Sequence, residues 1–231
     1  MQRKIKIETE KEKRVSAKNK AGYTELVFIL DRSGSMAGLE TDTIGGYNNL
    51  LKEQRSGSGE VKVTTVLFDD KYELLHQSES INSVKPITKK EYFARGSTAL
   101  LDAVGRTIVD KRTAVDLAET KPKKVLFVII TDGFENASRE YNIIKVKELI
   151  EAQKKCGNWE FMFLGANIDA VATAKTYGID ENCAVCYECD SQGLKTSYKA
   201  MSKAIRCYAE EGKIKESWQE EIMADYENRK K

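Results

Sequence analysis

Two stretches of this chain are apolar at every position: Leu26-Val27-Phe28-Ile29-Leu30 and Val125-Leu126-Phe127-Val128-Ile129-Ile130. A half-buried strand would alternate, and a surface helix would show a stripe every three to four residues. Short runs with no polar position, rich in β-branched and aromatic residues, fit strands covered on both faces. Such strands belong mainly to parallel sheets flanked by helices. Phe161 to Leu164 repeats the pattern, and Val61 to Phe68 is β-branched and partly alternating. Tyr72 to His76 follows closely enough to add an antiparallel edge, and Cys183 to Cys189 reads as a last strand. Helical spacing fills the intervals at about residues 39–54, 98–110, 141–155 and 169–177. Leu194, Tyr198, Met201, Ile205 and Tyr208 then form an amphipathic helix stripe. Strand–helix alternation of this kind predicts a doubly wound α/β fold: a mostly parallel open sheet, one antiparallel edge strand and helices on both faces. Arg55 to Gly59 reads as a helix-to-strand turn.

Length and charge narrow the picture. The chain has 231 residues, enough for one α/β domain with a normal core. Its net charge of +2 hides a cancellation, because residues 1–20 carry +5 and the remainder −3. We expect residues 1–20 to be a charged, disordered arm, residues 21–212 the α/β domain, and residues 213–231 a C-terminal helical extension. A mildly acidic body argues against a nucleic-acid-binding face. Uninterrupted uncharged runs are too short to span a bilayer. The charged N-terminus shows no apolar export signal, so a cytoplasmic location is expected. Five cysteines, an odd number, are then reduced thiols. The single histidine, His76, leaves little scope for a histidine-built zinc site or a Ser-His-Asp triad.

In a doubly wound sheet, ligands sit beyond the carboxyl ends of the strands, where strand order reverses. After the first apolar strand comes Asp31-Arg32-Ser33-Gly34-Ser35, and after the second comes Thr131-Asp132-Gly133. Side chains at i, i+2 and i+4 of a turning loop can converge, and Asp31, Ser33 and Ser35 all offer oxygen. Asp132 stands at the matching strand end. Thr98, in Gly96-Ser97-Thr98, precedes a helix on a connecting loop. Five oxygen donors from three loops suit a hard divalent cation. Two carboxylates among three hydroxyls only just neutralise such an ion, which would seek one further anionic ligand from outside the chain.

These three segments, in this order, resemble the von Willebrand factor A domain and its metal-ion-dependent adhesion site. The resemblance spans roughly residues 23–210. It implies Mg²⁺, with Mn²⁺ or Ca²⁺ as alternatives. It also implies direct ligation by Ser33, Ser35 and Thr98, with Asp31 and Asp132 acting largely through water when a ligand is bound. It further implies a protein-interaction module, not an enzyme, whose protein partner offers an Asp or Glu to the metal. The Phe163-Leu164-Gly165-Ala166-Asn167 segment, with Asp169 following, is similar to small stand-alone bacterial or phage members. Intracellular relatives of that kind often act with ATPases or other cellular machinery, which the resemblance extends to this chain's partners.

Other readings stand beside this one. Asp31, Ser33 and Ser35 could be a capping cluster, leaving a degenerate site with a structural role. A Mg²⁺-dependent phosphohydrolase on a similar sheet also places an Asp after its first strand. It needs a second carboxylate two residues on, where this chain has Ser33. Cys183, Cys186 and Cys189 have metal-ligand spacing. On a continuous strand, however, Cys183 and Cys189 would face one side and Cys186 the other. His76 reads as a packed edge-strand residue, and Asp69 and Asp70 as turn residues near the site.

Overall fold

Strand β1, Thr24–Asp31, is buried at all eight positions, as its unbroken apolar sequence requires. The computed structural model describes residues 22–57 and 59–229. The charged arm expected over residues 1–20 lies outside them. After β1 the chain forms α1 (Glu40–Gln54), β2 (Val61–Phe68), β3 (Tyr72–Ser80), α2 (Leu100–Leu117) and β4 (Lys124–Thr131). Then come α3 (Ile143–Lys155), β5 (Trp159–Gly165), α4 (Ala170–Thr176), β6 (Ala184–Cys186), α5 (Ser191–Glu211) and α6 (Glu220–Arg229). The sheet runs β3-β2-β1-β4-β5-β6, with β3 antiparallel to β2 and every other pairing parallel.

The two-residue period of the strands divides the core into two layers. Leu26, Phe28 and Leu30 of β1, with Leu126, Val128 and Ile130 of β4, face α1 and α5. Val27 and Ile29, with Phe127 and Ile129, face α2, α3 and α4. Helix α5 carries the stripe read from the sequence. Its N-cap Asp190 accepts from Gly193 N at 2.7 Å, and it ends at Gly212 in the left-handed conformation, φ 77°. Helix α1 packs against α5 through Gly46, where a Cβ would lie 2.2 Å from the Tyr198 ring. Only a glycine permits that approach.

Beyond α5, Trp218 and Ile222 enter the core layer of α1 and α5, and the Trp218 indole N–H donates to Asn182 O at 2.9 Å. Among the described residues no helix is long and apolar enough to cross a membrane.

The order of strands reverses between β1 and β4. Chain direction leads from β1 outward to β2 and β3, then returns to β4 on the other side of β1 and continues outward to β6. The carboxyl ends of these two central strands are Asp31 and Thr131. The crevice between them is where a doubly wound sheet offers a ligand site.

Three elements differ from the expectation. Strand β3 runs on to Ser80, past His76, across register shifts opposite Val63 to Val66. Helix α2 continues to Leu117, whose side chain is exposed. Strand β6 is only three residues long, with Cys183 in a preceding 3₁₀ turn and Cys189 in the loop after it. Strand alternation therefore does not govern the three cysteines. Cys183 and Cys186 lie with the α2–α4 layer, and Cys189 packs against the α1–α5 layer.

Candidate metal centre

The backbone at the end of β1 turns away from the sheet immediately after Asp31. Arg32 N still donates to Phe68 O of β2 at 2.8 Å, and the chain then enters a short 3₁₀ turn, Gly34–Met36. The turn brings Ser33 and Ser35 back over the strand end. Ser33 N donates to Asp31 Oδ1 at 2.7 Å. The Ser33 and Ser35 hydroxyls are 3.0 Å apart. Ser35 Oγ donates to Asp132 Oδ1 across the crevice at 2.6 Å. Thr131, the last residue of β4, donates its hydroxyl to Asp31 Oδ2 at 2.6 Å.

Thr98 comes from a third segment, the loop before α2. Gly34 N donates to Gly96 O at 3.1 Å, which ties this loop to the Ser33–Ser35 turn. On the other side, Thr98 N donates to Asn136 Oδ1 at 2.9 Å, and Thr98 O accepts from Asn136 N and Ala137 N. Gly133 passes directly over the hydroxyls. A Cβ there would lie 3.3 Å from Ser35 Oγ and 3.6 Å from Thr98 Oγ1. Asp31, Ser33, Ser35, Thr98 and Asp132, five positions from three separate segments, thus share one crevice. Asp31, Ser33, Thr98 and Asp132 are buried and Ser35 is exposed, so the group opens outward on the Ser35 side.

Several residues beyond the five candidate ligands hold this arrangement. Arg32 is buried, and its Nε donates to Asp69 Oδ2 at 2.9 Å while its Nη1 donates to Glu91 O. Arg95 donates to the same Asp69 oxygen at 2.7 Å. Asp69 therefore serves as the anion between two guanidinium groups and not as an added ligand. It locks the loop before α2 to the end of β1. Gly96 sits at φ 66°, in the left-handed region that favours glycine. Two phenols brace the crevice from below: Tyr92 donates to Asp31 O and Tyr187 to Thr131 O. Asn167 donates to Asp132 O at 3.2 Å, and the Cys189 thiol lies 3.7 Å from Asp132 Oδ2. Only the tertiary fold brings Cys189 to Asp132. Thr131 could have been found from the triplet it shares with Asp132. His76 is a buried residue of β3, 3.1 Å from the Thr65 hydroxyl, and takes no part in the site.

Electrostatics favour a cation. Burial pushes the Asp31 carboxyl up to about 6, against the opposing hydrogen bonds from Thr131 and Ser33. Burial also raises Asp132, against hydrogen bonds from Ser35 and Cys189. Two desolvated carboxylates facing one crevice disfavour their own ionisation, and a positive ion between them reverses that cost. The remaining donors are hydroxyls, so the set is all-oxygen and hard. Among the described residues no group of three or more His, Cys, Asp or Glu side chains gathers as a metal-binding cluster. The crevice has two carboxylates and relies on hydroxyls for the rest.

No family model matches the sequence, and no curated protein matches it either. Solved structures do match in three dimensions. Proximal thread matrix protein 1 from the mussel byssus superposes with a TM-score of 0.55 at 18% identity, covering 81% of this chain and 47% of the other. A von Willebrand factor type A protein from Catenulispora acidiphila gives 0.53 at 16% identity, covering 80% and 42%. The chain has the von Willebrand factor A fold. A further structure of the mussel protein, described as having a zinc-occupied MIDAS motif, gives a TM-score of 0.56 at 16% identity, covering 80% and 46%. This chain spans about half the length of these structures, and identities at this level speak to the fold alone.

Proposed function

We propose that this protein is a metal-dependent protein-binding module whose divalent cation is completed by an acidic side chain of a partner. The observation that carries the reading is the crevice itself. It gathers two buried carboxylates, Asp31 and Asp132, and three hydroxyls, Ser33, Ser35 and Thr98, at the strand-order switch point. The ion is Mg²⁺, with Mn²⁺ or Ca²⁺ able to substitute. Ser33, Ser35 and Thr98 would hold it directly, and Asp31 and Asp132 would hold it largely through water. Bound there, it supplies a positive charge open to an external ligand. Two carboxylates offset that charge without exceeding it, so an external Asp or Glu remains favourable. Support for a cation also comes from the mussel protein of the same fold, described with a zinc-occupied MIDAS motif.

The reading is of a binding module and not an enzyme, because Ser33 occupies the position where a phosphohydrolase needs its second carboxylate. The setting is the cytoplasm, in line with five cysteines that are all free, and candidate partners include ATPases and other intracellular machinery of a bacterial or phage system. The module is assigned to residues 21–212 and an extension to residues 213–231, of which Trp218 and Ile222 complete one core layer.

The test is affinity capture from a native lysate in Mg²⁺ and in chelator, with wild type and Asp31→Ala. A partner retained by wild type only in Mg²⁺, and not by the variant, is expected. Equal retention by the variant would refute the reading. Turnover of a generic phosphate ester that disappears in Asp31→Asn would replace it with an enzymatic one.

A further inference from the structure

Phe134 follows Gly133 directly and has 69% of its surface exposed. An exposed phenylalanine on a floppy loop would need no explanation, but this loop is tightly held. Glu135 accepts through Oε1 from Ala137 N and Ser138 N, at 2.9 and 2.7 Å. Through Oε2 it accepts from Leu101 N and the Ser138 hydroxyl, at 2.9 and 2.7 Å. Asn136 and Thr98 are tied in both directions, side chain to backbone and backbone to backbone. The segment after Asp132 is therefore stitched to the start of α2 and to the loop before it, and the ring is presented to solvent by a fixed backbone. Phe93 offers a contrast. That ring is also partly exposed, but Arg32 and Arg95 lie over it at 5.5 and 5.0 Å. Among the described residues no ring or cation covers Phe134.

Its position relative to the hydroxyls follows from Gly133, whose Cβ site is 3.3 Å from Ser35 Oγ. The next Cα is one peptide further on, about 3.8 Å away. The ring thus stands on the order of 10 Å from the hydroxyls, a distance covered by two to three residues of extended peptide. A partner carboxylate reaching the crevice has its own neighbours within reach of this ring.

We propose that Phe134 forms an apolar subsite beside the metal centre, so that the partner segment carries a bulky apolar or aromatic side chain within about two residues of its coordinating Asp or Glu. This rests on the reading of a cation completed in trans. The carboxylate supplies a charge-dependent anchor common to any acidic segment, and the ring adds selectivity among such segments by burying apolar surface. Aromatic side chains at the centre of an interface commonly carry a large share of its binding energy.

The experiment uses fluorescently labelled synthetic peptides with one central Asp, flanked by Gly or by Leu or Phe at the neighbouring positions. Binding to the full chain is followed by anisotropy in Mg²⁺ and in chelator, for wild type and Phe134→Ser. We expect apolar-flanked peptides to bind about tenfold more tightly than Gly-flanked ones, only in Mg²⁺. The preference should vanish in Phe134→Ser, while Mg²⁺ still raises that variant's unfolding temperature as in wild type. Chelator-sensitive binding that ignores the flank, or a preference that persists in Phe134→Ser, overturns the inference and leaves the metal reading standing. No chelator-sensitive binding of any acidic peptide overturns both.

Discussion

Asp31 is the residue on which the proposed metal site turns. Its Oδ1 holds the Ser33 amide and its Oδ2 the Thr131 hydroxyl, so its rotamer is fixed before any ion arrives. Burial raises it from 3.8 to about 6. Between those values the unfolded carboxyl has released its proton and the folded one retains it. In chelator, this group's contribution to stability therefore falls as pH rises from about 4 to about 6, by up to roughly 3 kcal/mol. A cation reverses the sign, because it binds the ionised form. We expect the rise in unfolding temperature caused by Mg²⁺ to be small at about pH 5 and clearly larger at about pH 7.5. Thermal scans at the two pH values decide this, and equal Mg²⁺ shifts would contradict it. Asp31, Ser33 and Ser35 are legible from their spacing after an apolar strand, but the contacts that fix the surrounding loops are not. Arg32 and Asp69 form their ion pair only because β1 and β2 are adjacent, and Cys189 meets Asp132 only because the chain leaving β6 returns beside the end of β4.

At the scale of elements, legibility tracks burial. Strands β1 and β4 are plain in the sequence because both faces are covered and their central positions are all apolar. Strand β3 is only half visible there. Its outer residues, such as Gln77 and Glu79, are polar, and its pairing to β2 rests on main-chain hydrogen bonds that leave little trace in hydrophobic pattern. Strand β6 is too short for alternation to mean anything. Helices α1 and α5 are visible as helices, but their contact is not. It depends on Gly46, in a helix where glycine is otherwise unfavourable. We expect Gly46→Ala to lower stability by about 1–3 kcal/mol, since a methyl must displace the Tyr198 ring in a packed layer. Urea unfolding measures it. A stabilised variant, as helix propensity alone would give, would show that the close approach of α1 to α5 is not a constraint.

For the whole molecule, the order of strands is what converts three loops into one site. Only a reversal between β1 and β4 leaves Asp31 and Asp132 on opposite sides of one crevice, with the α2 loop closing the third side. The fold can be inferred from strand–helix alternation, and the crevice from the polar triplets at the carboxyl ends of the two apolar strands. The exposed ring of Phe134 and the phenols beneath the strand ends cannot, because their meaning depends on which loops lie together. The most direct measurement is a titration of Mn²⁺ into the full chain, with free ion followed by electron paramagnetic resonance. The proposed function predicts one Mn²⁺ site in the crevice that Mg²⁺ competes for, lost or severely weakened in Asp31→Ala and Asp132→Ala while both variants remain folded by circular dichroism. Undiminished binding in those folded variants, or no binding by the wild type, would contradict the account.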